Sequence, residues 1–317
     1  MNRQDLINNS KKAELHIHLE GSLEPQMMLD LAKRNNVTLK SNSVAEITKS
    51  YKFGNLQEFL DLYYMGMSVL QTEEDFFDLT YAYLTRAHLD NVTHTEMFFD
   101  PQAHTLRGVS LSVVINGIKR AINAAKKKYA ITASLIPCFL RHLSEKDALQ
   151  AFDGLMEYRD NFIGIGLDST ELGNPPRKFK NLFNLARQEK LKLVAHAGEE
   201  GGYRNIWEAI DILGVDRIDH GNAAITDKAL IKRLADDKLA LTMSPLSNRC
   251  LQVVPDLKDH PALKLLNHGI NVTINSDDPS YFGGYINDNF HALSAALNLN
   301  EKDVQMLINN SLNAKFV

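Results

Sequence analysis

Eight short β-rich runs, separated by amphipathic stretches, set the architecture of this 317-residue chain. The runs are Glu14–Leu19, Thr93–Phe99, Thr132–Leu140, Phe162–Leu167, Lys192–His196, Arg217–His220, Leu239–Met243 and Asn271–Asn275. Several are continuously apolar, as expected of strands buried on both faces of a parallel sheet. Between them lie segments of helical periodicity: Glu74–Asp90, Leu111–Tyr129, Ser144–Arg159, Arg177–Glu189, Asn205–Leu213, Asp227–Asp237 and His260–Asn267. Strand-helix alternation with eight strands predicts an α/β fold, a (β/α)8 TIM barrel. The interval from about residue 25 to residue 90 is too long for one crossover. It predicts extra helices inserted after the first strand, placed as a lid. No linker or repeat divides the chain, so residues 1–317 are read as a single barrel domain.

A barrel of this kind places its chemistry at the C-terminal ends of the strands and in the loops after them. Polar residues collect at those points: His16 and His18, Asp168, His196 and Glu199, His220, and Asp277 with Asp278. Composition narrows the chemistry. Lys and Arg number 35 against 39 Asp and Glu, a net charge of −4, which argues against nucleic acid as the main partner. Cys138 and Cys250 are the two cysteines, too few for a disulfide framework or a thiolate zinc knuckle. Neither an N-terminal apolar h-region nor an apolar window long enough to span a bilayer is present, so a soluble cytoplasmic protein is expected, with no membrane partner.

In His16-Ile17-His18 the two imidazoles lie two residues apart in a strand, on one face and about 6.6 Å apart. That spacing lets both converge on one ion at Zn–N distances of about 2.0–2.1 Å, although two packed histidines would look the same in sequence. His196 ends the fifth run. Gly198 permits a turn that folds Glu199 back over the mouth, where a partly desolvated carboxyl can act as a proton donor. Its bland alternative is a surface glutamate beside Glu200. His220 suits a ligand, a general base, an electrostatic group beside an activated water, or plain packing. Asp277 and Asp278 suit metal ligation plus a substrate hydrogen bond, or helix N-capping.

Histidines and an aspartate on strands 1, 5, 6 and 8 together point to a mononuclear metal hydrolase. The thiol-free donor set suits Zn²⁺, Fe²⁺, Co²⁺ or Mn²⁺. The other zinc deaminase motif is absent, because Pro137-Cys138 has no second cysteine after it. Leu56, Phe59, Leu60 and Leu62 form an apolar stripe that is either core or the roof of a base pocket. Arg141-His142 is read as a structural ion pair and Cys138 as packing. Tyr281 to Tyr285 is either loop or an aromatic wall.

The segments AELHIHLEGSLEP, VAHAGEE, RIDHGNA and INSDDPSYFGGYINDNF resemble the adenosine/adenine deaminase family, in order and over nearly the whole chain. HLEGSLEP and SDDPxYFGGY are most similar to its adenine-acting branch. The resemblance implies a barrel with one Zn²⁺ per chain, held by His16, His18, His196 and Asp277. It implies Glu199 as proton donor to purine N1, His220 as the group that orients and deprotonates water, Asp278 on N7, and Phe59 on the lid. Adenine would be hydrolysed to hypoxanthine and ammonia in purine salvage, and a small purine base would be the partner. Homo-oligomerisation is compatible with this reading. Two positions depart from the nucleoside-acting members: Glu20 stands where they carry Asp, and Ser169 where they carry Gly. Both are expected to crowd a ribose, which favours the free base over adenosine, and N6-substituted adenines stay open as alternatives. The rivals are another metal-barrel hydrolase, whose binuclear centres often use a strand-end lysine that is missing here, and a purine-binding barrel without catalysis.

Overall fold

The computed structural model describes residues 2–317. The strands are β1 (Lys12–His18), β2 (Val92–Phe99), β3 (Thr132–Leu140), β4 (Gly164–Asp168), β5 (Lys192–Ala197), β6 (Arg217–His220), β7 (Ala240–Met243) and β8 (Asn271–Ile274). Each pairs in parallel with the next in chain order. The ring closes just beyond β8. The His18 amide donates to the Asp277 carbonyl at 2.9 Å, and the Asp277 amide donates to the His16 carbonyl at 3.1 Å. The (β/α)8 barrel expected from the alternation is therefore the fold.

Inside the barrel Phe98, Ile136, Cys138 and Val194 form a small apolar floor. Phe98 lies 5.1 Å from the rings of both His16 and His18, so this floor sits directly under the mouth. Space there is tight enough to dictate a glycine. A Cβ at Gly166 of β4 would stand 2.3 Å from the Cys138 sulfur. A second, larger apolar cluster fills the layer between sheet and helices. Arg217 makes an ion pair with Glu96 at 2.5 Å within the barrel and also donates to the Leu15 carbonyl at 3.0 Å. Pairing and hydrogen bonding of this kind are what a buried guanidinium requires.

A short N-terminal helix, α1 (Arg3–Asn9), precedes the barrel. Four helices lie between β1 and β2: α2 (Pro25–Arg34), α3 (Val44–Ser50), α4 (Leu56–Gly66) and α5 (Glu73–Leu89). Local sequence fixes their starts. Asn55 caps α4 by accepting from the Glu58 amide at 3.0 Å, and Thr72 with Asp75 forms a capping box on α5. The buried face of α4 is Leu56, Phe59, Leu60 and Tyr63, a spacing of 3, 4 and 7 residues. Leu62, expected on the same stripe, turns instead toward Leu39 and Ile47 of the neighbouring insertion. No helix among the described residues is long and apolar enough to cross a membrane.

Candidate metal centre and active site

The C-terminal ends of β1, β5 and the β8 loop bring four side chains together. His16 Nε2 lies 3.1 Å from Asp277 Oδ1, and His18 Nε2 lies 3.1 Å from His196 Nε2 and 3.4 Å from Asp277 Oδ1. One ligand atom from each of the four falls within 4.8 Å of all the others. Four ligands at about 2.0–2.1 Å around a tetrahedral ion stand about 3.3 Å from one another. The His16 Nε2 atom is buried and has no hydrogen-bond partner, which fits a nitrogen kept for a metal. The far nitrogen of His16 is tethered, as an imidazole ligand needs for its orientation. His16 Nδ1 reaches Thr242 Oγ1 at 3.0 Å, and that hydroxyl donates to Asp219 at 2.9 Å. Asp219 also approaches His196 Nδ1 at 3.5 Å, while Asp168 lies 3.7 Å from His18 Nδ1. These residues fit a mononuclear, thiol-free site.

Electrostatics agrees with the geometry at three of the four residues, the exception being His16, where burial would lower the imidazole but Asp277 raises it above its ordinary value. Burial would raise the Asp277 carboxyl, but His16, His220 and His18 around it hold it well below the usual carboxylate range. Burial lowers His18 to about 4 and takes His196 well below its ordinary value, so both are neutral imidazoles suited to ligation.

Beside this cluster stand Glu199 and His220. His220 Nε2 lies 3.5 Å from Glu199 Oε2 and 3.8 Å from Asp277 Oδ2, so its imidazole faces the acid and stays outside the four-atom group. Burial lowers His220 to about 3, and Asn248 holds its Nδ1 at 3.4 Å. Glu199 is buried, and burial together with the charge of Asp277 raises its carboxyl well above the ordinary value. Its position is set by Glu171. That carboxylate accepts from the amides of Gly198 at 2.7 Å, Glu199 at 3.0 Å and Gly201 at 2.8 Å, and from the Asn205 amide group at 2.8 Å. Gly198, at φ +70°, makes the turn.

Asp278 begins the short helix Pro279–Phe282 but makes no capping hydrogen bond, so helix capping is not its role. It packs over Gly21, where a Cβ would meet its Oδ1 at 2.0 Å, and it lines the central cavity. Leu56, Phe59, Leu60, Tyr63 and Tyr64 of α4 face the same cavity, with Phe282 beside them. Tyr281 packs behind this layer on Tyr51 and Phe59 and does not reach the cavity. Ser169 lines it too, at φ +72°, and its hydroxyl meets Tyr64 at 3.1 Å and His142 at 2.8 Å. His220 at φ +62° and Asp277 at φ +63° share that conformation. Side chains in the left-handed region cost of order 1–3 kcal/mol each and persist where surrounding contacts hold them.

Two expectations are corrected. Glu20 does not face the cavity: its carboxylate accepts from the Asp100 amide at 3.0 Å and pairs with His104 at 2.7 Å. Among the described residues Arg141 is in no ion pair. It is fully buried and donates to the carbonyls of His196 at 2.6 Å and Asn174 at 2.8 Å, which fixes the end of β5. Sequence reasoning gave no role to Glu171, Asp219, Thr242 or Asp100, each of which this geometry uses.

Comparison with known proteins agrees with the site. The family model for adenosine deaminase matches residues 11–317. An adenine deaminase of Acinetobacter baylyi is 52% identical over 317 residues, covering 100% of this chain and 96% of that protein. The crystal structure of an adenine deaminase from Arthrobacter aurescens superposes with a TM-score of 0.95 at 45% identity, covering 96% of this chain and 94% of that one. A zinc-bound amidohydrolase from Burkholderia ambifaria gives 0.91 at 26% identity, covering 99% and 88%. From β1 to the C-terminus, this chain belongs to the adenosine deaminase family.

Proposed function

We propose that the protein is an adenine aminohydrolase, adding water to C6 of free adenine and releasing hypoxanthine and ammonia. The observation that carries the reading is a buried acid, Glu199, set beside a neutral imidazole, His220, at the edge of the four-residue metal cluster. His16, His18, His196 and Asp277 would hold one zinc ion per chain. Zinc would supply Lewis-acid activation, lowering the pKa of a bound water from 15.7 to about 7.

The chain's own residues do the rest. His220, held neutral by burial, orients the water over C6 and accepts its proton. Glu199, whose acid form burial favours, donates its proton to N1, which makes the aromatic C6 electrophilic. Burial and the adjacent Asp277 raise Asp278 well above the ordinary carboxyl range, so it can donate to N7. The proton held by His220 passes to the departing amine, which leaves as ammonia. As the C6 carbonyl forms, the remaining hydroxyl proton restores the acid form of Glu199. Phe59 and its neighbours on α4 cover the ring and exclude water. The partner is a small purine base. Relatives named adenine deaminases, 51–54% identical over nearly the full chain, support the free base as substrate.

Turnover of adenine by the zinc-loaded protein in ¹⁸O-water tests this directly. The expected products are one ammonia and hypoxanthine carrying ¹⁸O at position 6. Absence of both rejects the assignment.

A further inference from the structure

We propose that Asp100 and Asp168 form an acceptor pair that takes the N9–H of free adenine and thereby selects the base over its nucleoside. The proposal deepens the adenine reading above and rests on it. Asp100 follows β2 and Asp168 ends β4, and both line the cavity while being 1% and 3% exposed. The Oδ1 atom of each is buried without a hydrogen-bond partner. Buried acceptors left unpaired are costly, and a ligand donor is their natural complement. The two carboxyls and a nitrogen of His18 come within 4.8 Å of one another. Asp168 lies against Nδ1 of His18, whereas its Nε2 faces the metal cluster, so the pair stands on the opposite side of that ring.

The surroundings hold the pair in place without using these oxygens. Glu20 accepts from the Asp100 amide, and His104 in turn fixes Glu20, so the backbone is tied and the carboxyl stays free for the cavity. The Asp168 carbonyl accepts from the Arg141 amide at 3.1 Å.

A purine bound with C6 toward His220 and Asp277, N1 at Glu199 and N7 at Asp278 has used the groups of strands 5, 6 and 8. Its N3/N9 edge then faces the remaining polar lining, on strands 2 and 4. Two buried carboxyls this close share one proton, so the pair presents one acceptor, and free adenine offers it one ring N–H, at N9. A nucleoside has carbon at that atom. It would leave that acceptor unpaired and press its sugar into the space the carboxyls fill. Sites built to hydrogen-bond a substrate reject analogues lacking the group far more strongly than apolar pockets reject bulk.

The test is kcat/KM of the zinc-loaded enzyme on adenine and on 9-methyladenine, for wild type and Asp100→Ala. Wild type is expected to prefer adenine by about 10²-fold or more. Asp100→Ala should lose about tenfold or more on adenine while holding or gaining on 9-methyladenine, so the preference collapses. Wild type accepting both substrates equally overturns the proposal, and that result needs no variant to fold. A parallel loss on both substrates in Asp100→Ala overturns it as well, because it marks a general structural role. Two metal ions per chain, one lost in Asp100→Ala, would reassign the pair to metal binding. Failure of wild type to deaminate adenine at all removes the adenine reading itself, and this proposal with it.

Discussion

Glu171→Gln should cost both stability and turnover, through one loop. The native carboxylate accepts four hydrogen bonds, two on each oxygen: Gly198 and Asn205 on Oε1, Glu199 and Gly201 on Oε2. Glutamine keeps one acceptor oxygen. Its amide nitrogen must then face two N–H donors it cannot satisfy. Hydrogen bonds to a charged group contribute about 1.5–3 kcal/mol each, so losing two amounts to about 3–6 kcal/mol before relaxation. That is a large share of an ordinary domain stability of about 5–15 kcal/mol. The relaxation itself displaces Glu199, because the chain segment Gly198–Gly201 is what Glu171 pins. A displacement near 1 Å in a catalytic group can cost about 10²-fold. Urea unfolding should therefore show the loss of stability, and steady-state assays on adenine should show kcat lowered about 10²-fold. Metal content should stay intact, since Glu171 touches none of the four ligands. A variant that is destabilised but retains full kcat would refute the claim that Glu171 positions the acid.

His16→Ala should lose tightly bound metal and nearly all activity, as measured by metal analysis of the purified protein, because three ligands hold the ion poorly. Glu199→Gln should retain metal and bind adenine but lose several orders of magnitude in kcat, since an amide is no acid toward N1; near-normal single-turnover rates would exclude the role. Glu14 gives a pH signature. Burial raises its carboxyl from 4.5 to about 7, against the hydrogen bonds from Ser276 and Tyr83. The folded state keeps this proton while the unfolded state releases it, so the group's contribution to stability falls as pH rises from 4.5 to about 7. At about 1.36 kcal/mol per pH unit, that is about 3 kcal/mol, and Glu14→Gln should remove this part of the pH dependence in unfolding experiments.

The candidate metal cluster was legible because its histidines stand at the ends of buried strands. His16, His18 and His196 are polar where β1 and β5 are buried, and the barrel places such ends at one mouth. Strand limits were less legible. β4 contains Gly164 and Gly166, poor strand formers that packing against Lys192 and Cys138 requires, so the apolar signal there begins too early, at Phe162. The supporting residues were hidden for a different reason. Glu171 in sequence resembles any loop glutamate, and only the return of the β5 loop supplies its four donors. Glu20 was read from its neighbours in β1, yet its direction is set by His104, 84 residues away. Arg141 beside His142 suggests a structural ion pair, whereas its guanidinium donates to the His196 carbonyl, 55 residues away. Partners distant in sequence carry no local periodicity.

The central claim is that this site acts on the free base, and the ratio of kcat/KM for adenine to that for adenosine measures it. The account predicts at least about 10²-fold in favour of adenine, each tenfold being about 1.4 kcal/mol of transition-state discrimination. Comparable values for the two substrates would contradict it and leave a purine 6-aminohydrolase without base selectivity.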